Sequence, residues 1–164
     1  MKRLSLYLLL SAVVAVGCVK RDNTSSGQTP TSPSRTTPVT FQRVTRGSRS
    51  AVVQQTTLVA TNDRTFDDIL ARVVPDQPIL SPNFAHEMAV AVFLGERLTG
   101  GFQIRVTNVT DTDGVLTVEA LETIPNLRCA VIQSLTQPFE IISVPRRGDS
   151  VVLLVAREVG PPCF

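Results

Sequence analysis

A chain of 164 residues, 43% hydrophobic and 18% charged, has room for one domain of ordinary size and little more. Sixteen basic against 14 acidic residues give a formal charge of +2, yet from Phe41 onward 11 arginines face 13 carboxylates. That mildly acidic remainder lacks the concentrated basic face that nucleic-acid binding demands, and a lone histidine, His86, excludes sites that need two imidazoles.

The N-terminus reads as an address. Lys2 and Arg3 form a basic n-region, and thirteen largely apolar residues follow at 4–16. A membrane-spanning helix needs about 20 such residues, whereas a secretory h-region is shorter. The segment closes on Ala15-Val16-Gly17-Cys18, which resembles the lipobox of bacterial lipoprotein signal peptides. The resemblance implies a signal peptide over residues 1–17 and a diacylglycerol on Cys18, the first residue of the mature chain. The lipid then anchors the protein in a membrane of the cell envelope. Val19 rather than Asp after the cysteine implies the outer membrane where the host has one. The alternative is an ordinary secretory signal that happens to contain Cys18.

Cysteine counting agrees with export. Three cysteines are odd for a secreted chain, and assigning Cys18 to lipid leaves Cys129 and Cys163 as a pair. A bridge between them would tie down the C-terminus and stabilise by a few kcal/mol in the chain-entropy model. The alternative is two free thiols, with Cys129 buried as a small hydrophobe.

Residues 20–40 hold three prolines, ten serines or threonines and a single aliphatic residue, Val39. So little apolar surface cannot offset the entropy of ordering, which predicts a disordered tether over 18–40 and a folded domain over 41–164.

Val52, Val53, Leu58 and Val59 suggest one or two strands in a Thr- and Gln-rich run. Thr65 then stands as an N-cap, Asp67 and Asp68 meet the positive end of a helix dipole, and Phe66, Ile69, Leu70 and Val73 form an amphipathic stripe that ends before Pro75. The uncharged run 88–94 suits a strand buried on both faces. Phe102, Ile104 and Val106 alternate with polar residues, Asp111-Thr112-Asp113-Gly114 marks a turn with Gly available for positive φ, and Leu116, Val118 and Ala120 resume the alternation. Two more strands are expected at 139–144 and 151–155. The fold class is therefore α+β, mainly antiparallel sheet with one short helix.

Two short motifs carry a resemblance. Gly95-Glu96-Arg97-Leu98-Thr99-Gly100-Gly101-Phe102 follows the apolar strand, and Thr136-Gln137-Pro138-Phe139 leads into Val144-Pro145. Together with the MAVAVFL strand they resemble the C-terminal domain of the protease complex subunit PrcB family. Leu98 stands where that family often has Pro, and Phe102 where Tyr is commoner. The resemblance implies a lipoprotein that associates with and supports a surface serine protease without proteolytic residues of its own. The expected partners are the lipid bilayer and a protein, with no cofactor and no metal.

The glycine pair in the first motif has two readings. One is a hairpin joining the strand that ends at Leu94 to the one that starts at Phe102, with glycine supplying a backbone conformation closed to other residues. The other is a presented recognition loop, Glu96, Arg97, Thr99, Gly100, Gly101 and Phe102, with Glu96 and Arg97 as polar contacts. A comparable loop in bacterial inhibitors of cysteine proteases gives an alternative function, protease inhibition through residues 99–102. Catalysis is not expected: there is no G-x-S-x-G, no P-loop and no C-x-x-C.

Overall fold

The computed structural model describes residues 34–163, so the expected signal peptide, Cys18 and most of the expected tether lie outside the described residues. In chain order the elements are β1 (Thr36–Pro38), β2 (Gln42–Gly47), β3 (Arg49–Ser50), β4 (Thr56–Ala60), α1 (Asp63–Leu70), β5 (Val73–Val74), β6 (Glu87–Phe93), β7 (Gln103–Thr112), β8 (Val115–Ile124), β9 (Phe139–Pro145) and β10 (Val151–Val159). One four-stranded sheet runs β1-β7-β8-β10 and a second runs β2-β9-β6-β4, with a short β3-β5 ribbon beside them. All strand pairs are antiparallel except β8 with β10, which are parallel. The α+β class with mainly antiparallel sheet thus holds.

The apolar run in β6 explains the layering. Met88, Val90, Val92 and the following Leu94 pack between the two sheets against Ile104, Val106, Leu116, Val118 and Ile142. Ala89, Ala91 and Phe93 point the other way, toward Phe66 and Ile69 of α1 and Phe139 of β9. A strand with an apolar core on each face cannot alternate with polar residues, which is the pattern these seven residues show. Small alanines face the helix and leave room for its two large side chains.

In β7 the period-two pattern would carry Asn108 into the core after Ile104 and Val106. A register shift between Val106 and Asn108 prevents this, leaving Thr107 and Asn108 exposed and returning Val109 to the interior. The β7–β8 turn is a two-residue one with both central residues at positive φ, Asp113 at 52° and Gly114 at 86°. Those signs match the right-handed twist of the flanking strands, as in type I′ hairpins.

Three expectations need correction. The folded region begins within the stretch read as tether: β1 pairs with β7 and Val39 is buried in the main core. A lone aliphatic residue in a polar run gave no periodicity to read, and the pairing is supplied by the far strand. Helix α1 is capped by Asn62, whose Oδ1 accepts from the Thr65 N–H at 2.9 Å, so Thr65 lies inside the helix. The helix stops at Leu70, and Val73 is buried from β5, paired with β3, instead of completing the helical stripe. In the run from Val52 to Val59, where one or two strands were expected, there is one, β4; β2, which nothing in its sequence QRVTRG announces, precedes it.

Candidate functional site

The strands give the domain two ends. Pairing of Gln103 with Thr123, Phe93 with Phe139 and Val159 with Ile124 brings the start of β7, the ends of β6, β8 and β10 and the start of β9 to one pole. Pairing of Thr36 with Thr112 brings the chain into β1 at the other pole, beside the Asp113-Gly114 turn. Ten residues of β7 separate the two, about 30 Å at the usual rise per residue.

The 95–102 segment lies at the first of these poles, and it is no hairpin. β6 belongs to one sheet and β7 to the other, so the segment carries the chain across the sandwich. Its register is set by the 125–138 loop. Arg97 and Thr136 exchange backbone hydrogen bonds of 2.8 and 2.9 Å, Thr136 Oγ1 donates to the Thr99 carbonyl at 2.8 Å, and the Gly100 N–H donates to the Ile132 carbonyl at 2.9 Å. A Cβ on Gly100 would lie 2.5 Å from Ile132 Cγ1. Gly101 has φ +87°, and a Cβ there would stand 2.9 Å from Pro125. The glycine pair therefore serves close approach of two loops as well as backbone conformation.

Arg97 also departs from its expected role as an outward contact. Its side chain is only 18% exposed. Nε donates to Glu122 Oε1 at 2.8 Å, Nη1 donates to the carbonyls of Leu94 and Glu96, and the guanidinium lies 5.8 Å from the centre of the Phe102 ring. Arg157 of β10 donates to the other carboxylate oxygen of Glu122, also at 2.8 Å. Burial pushes the Glu122 carboxyl upward, and the hydrogen bonds and charges of Arg97 and Arg157 more than reverse this, leaving it below the ordinary glutamate value. The triad joins β8 and β10 of one sheet to the crossing segment. Its signal was present in the sequence: Glu122 continues the inward parity of Leu116, Val118 and Ala120, and a carboxylate at an inward position requires a cation.

A second buried carboxylate, Glu140 on β9, bonds Arg43 of β2 and the Val106 N–H of β7. It closes part of the seam between the sheets. Among the described residues no buried side-chain nitrogen or oxygen lacks a hydrogen-bond partner.

Cys129 and Cys163 form the expected disulfide, with Cα atoms 5.0 Å apart, holding the 125–138 loop to the C-terminal segment. Asn126 Nδ2 adds a bond to the Gly160 carbonyl.

Of the remaining residues of the expected loop, Glu96 and Gly101 are exposed, Thr99 and Phe102 are half-buried and Gly100 is buried. Leu98 was not expected as a contact, yet it is 79% exposed, and Leu127, Ile132 and Leu135 are exposed on the neighbouring loop. Beside them lies a cleft of about 300 Å³ lined by Arg46, Ser48, Asp76, Gln77, Gly101, Phe102, Gln103 and Phe139, among others. The two sequence motifs thus converge on one concavity, the first contributing Gly101 and Phe102 and the second Phe139. Arg46, Asp76 and Gln77 went unread because they belong to β2 and the loop after β5, far away in sequence.

Residues 88–145 match the family model described as PrcB C-terminal. The matched span runs from the start of β6 to the end of β9, enclosing both motifs, Glu122 and Cys129, while Arg46, Asp76, Arg157 and Cys163 lie outside it. No curated protein and no solved structure matches the chain.

Proposed function

We propose, from the premise that residues 88–145 are a PrcB C-terminal domain, that this chain is a noncatalytic, lipid-anchored envelope protein whose β-rich domain binds a protein partner, and that the partner is a surface protease it stabilises. The observation that carries the reading is the convergence of both family motifs on one cleft at the pole opposite the entry of the chain into β1.

Inhibition through residues 99–102 fits the geometry less well. An inserting loop must present its residues to the partner, and here Gly100 is buried, Thr99 and Phe102 are half-buried, and Thr99 and Gly100 are bonded to the 125–138 loop. The test is affinity capture with the full lipidated chain from native envelope, followed by the activity and lifetime of the captured peptidase. We expect a longer lifetime with the chain present and no slowing of purified serine or cysteine peptidases. Slowing of a purified peptidase would put inhibition in its place, and an unchanged lifetime would end the accessory role. Labelled fatty acid still incorporated in Cys18→Ser would remove the anchor.

A further inference from the structure

The cleft holds an open strand edge. β7 is paired along its whole length with β8 on one side, but on the other side β1 covers only Thr110 to Thr112 and Val39 reaches the Val109 carbonyl, leaving the edge before Val109 open. Because the Val106 N–H turns away from β8 to reach Glu140, the paired residues Val106 and Ala120 form a pair without ladder hydrogen bonds. The register is unbroken from Gln103 to Val106. Ile104, two residues earlier, therefore also directs its N–H and C=O away from β8, to the side where β1 is absent. Its side chain is buried in the core, so its backbone is what the residue offers to the cleft.

The opposite wall is already satisfied. On the outer edge of β2 the Arg46 carbonyl accepts from Asp76, the Val44 carbonyl accepts from Leu80, and Thr45 Oγ1 donates to the Gln77 carbonyl. The Asp76 carboxylate accepts from the Ser48 N–H at 3.1 Å. The half-buried Arg46 makes no ion pair with a carboxylate among the described residues. One wall thus presents an unpaired backbone donor and acceptor, the other the Arg46 guanidinium beside the Asp76 carboxylate that Ser48 engages, and Phe102 and Phe139 supply apolar surface between them.

We propose that this cleft takes an extended peptide segment of the partner, which adds as a short strand to β7 at Ile104 and places a carboxylate side chain against Arg46. Backbone pairing supplies attraction independent of sequence, as in other strand additions to sheet edges, and Arg46 supplies the preference. The inference rests on the partner-binding reading and names the part of the partner that is bound.

Amide spectra of the full chain in detergent micelles test it, with three N-acetylated hexapeptides of alternating valine and threonine as probes. One carries a central glutamate, one a lysine in its place, and one the glutamate with alternate amides N-methylated. The glutamate peptide should shift the Ile104 amide at millimolar concentration. The lysine peptide should bind about threefold more weakly or worse, and N-methylation should weaken binding about tenfold. Arg46→Gln should level the glutamate and lysine peptides while leaving the effect of N-methylation in place. Equal binding of the N-methylated peptide, an unchanged charge preference in Arg46→Gln, or no shift at Ile104 would each overturn the proposal. A captured, stabilised peptidase alongside any of these results would leave the accessory role standing without this site. Peptide binding without a captured peptidase would do the reverse.

Discussion

The two poles of this sandwich are made from the same strands by opposite means. At the pole where the chain enters β1, β7 and β8 are joined by two residues, and the Asp111 carboxylate accepts from the Gly114 N–H at 2.9 Å to finish the turn. The bond that shapes this turn joins near neighbours in sequence, although Thr36 and Arg147 also reach Thr112 and Asp111 from elsewhere in the chain. At the cleft pole the crossing segment and the 125–138 loop have no regular strand to follow. They are held by Arg97 with Thr136, by Glu122 with two arginines 25 and 35 residues away, and by a disulfide spanning 34. A short turn stores its shape in its own residues. Long irregular loops borrow theirs from remote ones, and so should be the part of the fold most easily loosened.

Breaking the disulfide is the severest test of that contrast. Replacing Cys129 and Cys163 together by serine releases a loop of 34 residues, which the chain-entropy model values at about 4 kcal/mol. Urea denaturation should report a loss of that order. Amide exchange should rise first in residues 125–138 and 160–163, with the β7–β8 turn unchanged. Exchange rising equally at both poles would show that the two ends open together.

Arg97 sharpens the comparison. Arg97→Ala removes the less exposed of the two guanidiniums from Glu122 and two bonds to carbonyls, and should lower stability by about 2–3 kcal/mol. Glu96→Ala, an exposed change next to it, should stay within about 0.5 kcal/mol. Acid separates the variants further. Folded Glu122 binds its proton more weakly than the unfolded chain does, so the stability it contributes is complete above the ordinary value of 4.5 and is lost as pH falls through its lower folded value. In Arg97→Ala that acid-side loss should shrink. An unchanged acid dependence would mean that Arg157 alone holds the carboxylate.

The same contrast decides what could be read from the sequence. The apolar run of β6, the alternation in β7 and β8 and the turn between them each state their structure within a few residues; the turn proves shorter than its four-residue signal, because Asp111 and Thr112 belong to β7. The cysteine pair was legible because counting, unlike periodicity, ignores distance. β2 was missed because QRVTRG buries only Val44 and Thr45, and it is held as a strand by β9, about a hundred residues on. Arg97 reads as an outward contact because it belongs to no apolar periodicity. Its actual partner, Glu122, betrays itself only by its parity in another strand. Likewise the hairpin reading of residues 95–102, one of two for the glycine pair, fails because glycine content does not say whether the next strand returns to the same sheet.

Two glycines of almost the same conformation give the finest comparison. Gly101 at φ +87° lies at the cleft pole and Gly114 at φ +86° at the other, so an alanine at either meets the same backbone strain. Around Gly114 nothing lies within 4 Å of the added Cβ, and Gly114→Ala should cost only that strain, about 1 kcal/mol. At Gly101 the new methyl would come within 2.9 Å of Pro125 and 3.0 Å of Val131, so Gly101→Ala must also part the two loops. About 2 kcal/mol is expected there, the excess being the overpacking. The difference between the variants cancels the conformational contribution and isolates the loop contact. Equal losses in thermal or urea unfolding would mean that the 125–138 loop yields freely to the methyl group, and that its packing on the crossing segment adds nothing to the stability of the cleft pole.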